Sequence, residues 1–260
     1  MAKNTIRQAL TILFITSSIV LQAQTSLLGQ KGMVIVPEAS IYEDGEWMFG
    51  LVANHQNYRY LYPELSRTRF THELYYTAGV ALIPRVNFFI TLARLRGLTA
   101  EDRLGIGDRQ AVLSVLALKE RKYLPSIVVN ISNPFATVNQ YNSTNHLLAT
   151  KRFELSGQLQ LRTTLGYGVP YTFTDSGRED DPGYRFRQKE SNYLNGFFGG
   201  VQFVHSESYY ASLEHDSDKV NLGLGAELWN RLSLQINVLG IDRGRELGVG
   251  FGVRYRDVVR

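Results

Sequence analysis

The 260-residue sequence contains no cysteine. Disulfides, thiolate metal sites, thiol catalysis and a lipid-modified N-terminal cysteine are therefore excluded together. The usual catalytic signatures are also missing. The "HE" of His72 and Glu73 lacks the second histidine of a zinc helix, and neither a GxSxG elbow nor a P-loop occurs. Beyond the first 23 residues no stretch has the 3.6-residue periodicity of an amphipathic helix. Excess charge of one sign is scarce too. Loss of residues 1–23 would take two of the 28 basic residues and none of the 24 acidic ones, leaving a net charge of +2. Basic clusters such as "KERK" (Lys119 to Lys122) and "DRGR" (Asp242 to Arg245) are brief and interleaved with acids. They suit turns or anchors at a lipid headgroup surface, so no nucleic-acid partner is expected.

What is present begins with a leader. Lys3 and Arg7 precede an apolar run from Ala9 to Leu21, and Ala23 is a small residue suited to cleavage before Gln24. Residues 1–23 read as a signal peptide, with a buried or anchoring helix as the alternative. Residues 24–45 alternate too little for a spanning strand and are assigned as an N-terminal periplasmic or plug-like segment. The "GMVIVPEA" of Gly32 to Ala39 is expected to tuck into or beneath whatever follows.

From Gly45 onward the period is two. Leu232, Leu234, Ile236 and Val238 alternate with Ser233, Gln235 and Asn237. In "LGVGFGVRY", Leu247, Val249, Phe251, Val253 and Tyr255 alternate with Gly248, Gly250, Gly252 and Arg254. Such segments predict twelve strands, near 46–58, 70–83, 86–96, 108–119, 124–133, 144–153, 156–168, 193–204, 208–216, 219–229, 231–241 and 246–256. Their connections alternate between short and long over most of the chain, the long ones including "NPFATVNQYNST" and the span from Val169 to Asn192. Tight turns on one side and longer loops on the other are the habit of outer-membrane barrels, and an even count puts both termini in the periplasm. A soluble sandwich would also alternate, but its outer faces would be rich in Lys and Glu. Here the non-apolar faces carry mainly Gly, Ser, Thr, Asn and Gln. The expected fold is all-β, an antiparallel up-and-down transmembrane barrel of about twelve strands over residues 46–260, lying in the outer membrane of a Gram-negative cell. Tyr75, Tyr76, Tyr123, Tyr167, Tyr209, Tyr210, Trp229 and Tyr255 are among the aromatics near strand ends, where a headgroup girdle is expected.

Five charges fall in phase with the polar faces: Glu73, Arg162, Glu214, Glu227 and Arg254. An ionised group facing mid-bilayer lipid costs a few kcal/mol, so these are candidate lumen-lining residues. An open pore and an internal network that plugs the barrel are equally compatible with them. A lipase-like pairing of His205 with Ser206 or Ser208 is outweighed by turn chemistry. Asp216 and Asp218 in "EHDSDK" supply too few ligands for calcium, and no metal or cofactor is expected. The acidic loop Glu179, Asp180 and Asp181 could hold cations bridging lipopolysaccharide phosphates, although a solvated loop is the default.

The segments "LATKRF" (Leu148 to Phe153), "TLGYG" (Thr164 to Gly168), "LNGFFGGVQF" (Leu194 to Phe203) and "LEHDSDKVNLGL" (Leu213 to Leu224) are distinctive. With "GMVIVPEA" ahead of the first strand, they resemble the YjbH-like family of outer-membrane β-barrels associated with exopolysaccharide production and export. The resemblance implies a non-enzymatic barrel acting in export or surface display of polysaccharide. Outer-membrane lipids, lipopolysaccharide, polysaccharide and periplasmic export proteins would be its partners. A general small-solute channel or structural barrel is the alternative, and a lipid-modifying barrel enzyme the third reading. Within "LNGFFGG", Gly196, Gly199 and Gly200 are expected to leave room for the rings of Phe197, Phe198 and Phe203.

Overall fold

The computed structural model describes residues 26–55, 70–97, 106–134, 144–169, 171–175, 184–188, 194–206, 208–229, 231–242 and 247–258. The expected leader and the acidic loop at Glu179 to Asp181 lie outside them. The described residues form fourteen strands. Seven precede the longest connection: β1 (Glu46–His55), β2 (Phe70–Ile83), β3 (Val86–Gly97), β4 (Ile106–Leu118), β5 (Ser126–Ser132), β6 (Asn145–Ser156) and β7 (Leu159–Val169). Two short strands, β8 (Tyr171–Asp175) and β9 (Tyr184–Gln188), pair only with each other. The chain then resumes with β10 (Gly196–His205), β11 (Tyr209–His215), β12 (Val220–Leu228), β13 (Leu232–Leu239) and β14 (Gly248–Val258).

Twelve of these strands close into one antiparallel barrel, in which each neighbour in sequence is a neighbour in space and β7 pairs with β10. The seam joins β1 to β14, from Glu46 opposite Val258 to Asn54 opposite Gly250. Closure leaves the sheet without an edge, which is what lets a strand-built wall satisfy its backbone in lipid. All twelve predicted spans correspond to barrel strands. The hairpin of β8 and β9 was not foreseen, because the span from Val169 to Asn192 reads as loop.

One end of the barrel carries tight connections, such as Pro84 and Arg85 between β2 and β3, where Arg85 takes the left-handed φ of 71°. This is the turn end, and both β1 and the end of β14 open onto it. The opposite rim is the loop end. Outward faces are apolar: Phe49, Ile90, Leu147, Leu165, Leu224, Ile236 and Phe251 are all exposed. So continuous a belt of apolar side chains is unfavourable against water and favourable against acyl chains. Inward faces are polar and buried, with Thr77, Thr91, Gln110, Ser114, Asn130, Thr164, Gln202, Asn221 and Asn237 among them.

Two expectations about aromatics need correction. Tyr75 is fully buried and Tyr210 also turns inward, its hydroxyl inaccessible, because each lies in phase with the polar set although it sits near a strand end. Tyr123, Tyr209, Trp229 and Tyr255 do stand exposed at the turn end. Phe197 and Phe203 point outward. The ring of Phe198 points inward over Gly166, its partner across β7, so Gly166 rather than the glycines of its own strand makes the space.

Replacing Ile236 by Arg in the middle of the outward belt should lower folding stability in lipid vesicles by about 2–4 kcal/mol. Denaturant titration followed by tryptophan fluorescence would measure it.

Candidate functional site

Residues 26–42 are inside the barrel, and Glu43 and Asp44 are exposed where the chain leaves it for β1. Leu27, Leu28, Met33, Val34, Ile35, Val36 and Ala39 are each 3% exposed or less. The segment is hairpin-like. The Leu27 amide donates to the Val34 carbonyl (2.9 Å), the Met33 amide to Val36 (2.8 Å) and the Glu38 amide to Lys31 (2.8 Å). Gly29 takes φ 85° at the first turn and packs so close to Thr77 of β2 that a Cβ would collide with its methyl group. The apolar side chains meet a matching layer of the wall formed by Tyr75, Ala93, Val128, Leu148 and Phe198. At Gly223 an added Cβ would lie 2.7 Å from Val34, so this wall glycine makes room for the tip.

A hairpin in a lumen brings backbone groups that need partners away from water. The wall supplies them. The amides of Ile35 and Val36 donate to the two carboxylate oxygens of Glu214 at 2.8 and 3.0 Å. The Ala39 amide donates to Thr150 (2.7 Å), and the Leu28 carbonyl accepts from Thr91 (3.3 Å). Asn221 donates to Glu214 and to Asp216, holding the carboxylate that grips the tip.

Closer to the turn end the contacts become ionic. Glu38 lies 3.2 Å from Arg152 and 3.5 Å from Arg162. The Tyr42 hydroxyl accepts from Arg254 (3.2 Å) and donates to the Gly29 carbonyl (3.2 Å). Arg256 bridges Glu227 and Glu46, the latter at 3.1 Å, and Lys31 stands 3.7 Å from Glu46. Burial alone would raise the Glu38 carboxyl, but the guanidiniums of Arg162 and Arg152 outweigh it and hold the group at about 2. Burial lowers the Lys31 ammonium to about 8 against the pull of Glu46.

The five sequence candidates are all buried on inward faces, and they fall on two levels. Glu73 and Glu214 are toward the loop end, Glu73 accepting from the Tyr75 hydroxyl at 2.9 Å. Arg162, Glu227 and Arg254 are toward the turn end, each bound to a neighbour or to the plug. Sequence reasoning missed Lys31, Glu38, Glu46, Arg152 and Arg256. For Arg256 the signal was available, since it follows Arg254 by two residues and shares its face. His205 ends β10 and Ser206 opens the turn after it, both of them exposed. Asp216 accepts from the amides of Asp218 and Lys219 at 3.0 and 2.8 Å, which makes it a turn-capping residue. Among the described residues no cluster of His, Asp and Glu is placed to hold a metal ion.

Between plug and wall, beside Ser26, Gly50 and Arg254, a gap of about 10 Å³ remains. Below the plug, at the turn end, a vestibule of about 720 Å³ opens between Tyr42, Arg85, Lys119, Glu120, Arg152 and Arg256.

The molecule is thus a membrane-spanning β-barrel whose lumen is filled by its own N-terminal segment. Residues 24–256 match the family described as exopolysaccharide biosynthesis protein YbjH, so the chain belongs to the YjbH family. Two solved structures resemble it in fold alone. A KdgM porin has a TM-score of 0.44 and 9% identity, with 82% of this chain and 99% of that chain covered. An outer membrane channel from Pseudomonas putida F1 has a TM-score of 0.43 and 11% identity, with 87% and 100% covered. No curated protein matches the chain.

Because the Glu38 carboxyl is depressed in the plugged state, its contribution is present above the ordinary value of 4.5 and is lost as pH falls toward about 2. Amide exchange at Met33 to Glu38 should accelerate across that acid window in wild type. In Glu38→Gln it should already be fast at neutral pH, with a flattened acid step.

Proposed function

We propose that this barrel lies in the outer membrane of a Gram-negative cell, turn end toward the periplasm, and takes part in the export or surface display of exopolysaccharide. It acts without a catalytic step, with polysaccharide and periplasmic export proteins as partners. The observation that carries this reading is the family match, which spans plug and barrel together. The filled lumen favours a conduit closed at rest over a permanently open solute channel. A glycan chain needs the hairpin displaced, and the plug is held by hydrogen bonds, ion pairs and packing that can be broken and remade without covalent change.

The plug's grip is concentrated at Glu214, which takes two buried amides. Each such hydrogen bond is worth about 0.5–1.5 kcal/mol, and its loss strands a buried donor at a further cost of about 1–3 kcal/mol. Cells lacking the chain should lose surface or released polysaccharide, restored when the gene is returned; unchanged polysaccharide would remove the export role. In planar bilayers wild type should conduct little, whereas Glu214→Ala should open large fluctuating conductances. A steadily conducting wild type would favour the general channel.

A further inference from the structure

The vestibule is lined by cations brought from separate parts of the fold. Lys31 comes from the plug, Arg152 from β6 and Arg256 from β14, while Arg85 and Lys119 stand on the adjacent β2–β3 and β4–β5 turns. The Leu116 amide donates to the Arg85 carbonyl at 2.9 Å, which ties the β2–β3 turn to the end of β4, next to Lys119. Two of the lining acids are already shared between cations. Glu46 serves Lys31 and Arg256, and Glu120 serves Lys151 and Arg152. Glu43 and Asp44 are exposed where the plug leaves the cavity for β1. Arg85 and Lys119 have no anionic partner among the described residues.

The cavity's size is that of a ligand site, within the range of about 300–1,000 Å³ typical of such pockets. Its chemistry disfavours a neutral sugar held by stacking. Tyr42 is the aromatic side chain of its lining, and that ring is 2% exposed, with Lys31 over it at 4.6 Å and Phe89 at 5.7 Å. Arg152 both lines the cavity and pairs with Glu38 at 3.2 Å, and Ser40, also in the lining, donates its hydroxyl to the same carboxylate oxygen. An anion entering from below meets the free cations first and Arg152 next.

We propose that the vestibule receives an acidic glycan segment, whose carboxylates or phosphates are met by Arg85 and Lys119 and compete with Glu38 for Arg152, loosening the plug. That the ligand is a glycan rests on the polysaccharide reading above; the preference for an anion and the coupling to the plug rest on the residues alone.

The test uses the full mature chain in lipid nanodiscs, with hyaluronan tetrasaccharide as acidic probe, maltotetraose as neutral probe and inorganic phosphate as a simple anion. The acidic tetrasaccharide should bind and maltotetraose should not. The double variant Arg85→Gln with Lys119→Gln should weaken binding about tenfold, as the loss of two partly exposed charge pairs implies. Both residues are exposed on turns, so the variant should fold, and an unchanged thermal transition would check this. Bound tetrasaccharide should speed amide exchange at Met33 to Glu38 several-fold, whereas phosphate at equal charge should do so much less. Equal binding of both tetrasaccharides, no binding of the acidic one, or indifference to the double variant would overturn the site. Binding without faster exchange would overturn the coupling, and an equal effect of phosphate would overturn the glycan assignment. These measurements involve no cells, so failure here leaves the export reading standing, and a failed polysaccharide phenotype leaves the anion site measurable.

Discussion

Every backbone group inside a lipid-bounded wall must find a partner within the protein, and in this molecule that constraint reaches past the wall to what the wall encloses. The barrel settles its own backbone by closing. The hairpin of residues 26–45 cannot do the same, because its tip is too short to pair all its amides internally. Glu214 and Thr150 complete it, so the polar faces that water-filled barrels turn toward solvent are here turned toward a peptide. The plug is consequently specified by hydrogen-bond geometry as well as by apolar fit, and the two agree. Met33 to Val36 fill the space beside Gly200 and Gly223 while their backbone is held by the neighbouring carboxylate.

The lumen is graded along its length. Toward the loop end the contacts to the plug are carboxylate to amide and apolar to apolar. Toward the turn end they become ion pairs, ending in the chain Lys31, Glu46, Arg256 and Glu227. Buried ion pairs of this kind contribute little net stability once desolvation is counted, yet breaking one partner is costly. They define one seated position of the plug more sharply than they deepen its well.

Much of the architecture was legible in the sequence because a lipid-facing wall forces a strict period of two, and the phase of that period assigned Glu73, Arg162, Glu214, Glu227 and Arg254 to the inside. Where proximity to a strand end was used in place of phase, it misled: Tyr75 and Tyr210 belong to the lumen. The hairpin of β8 and β9 escaped because each strand is only five residues long and sits in a charged connection. The space under Phe198 comes from Gly166, a cross-strand neighbour that no single segment displays. The partners of the plug were hidden for the same reason, more strongly. Glu38 finds Arg152 across 114 positions, and Ile35 finds Glu214 across 179.

The longest such separations tie the plug and the first strand to the last one. Tyr42 meets Arg254 across 212 residues and Glu46 meets Arg256 across 210, and both arginines belong to the last strand, which also zips the seam against the first. The strand that closes the sheet is therefore also one that holds the hairpin, so seam and plug are coupled through β14. The cylinder encloses a filling drawn from the same chain, and its last stave is pegged to that filling as well as to the first.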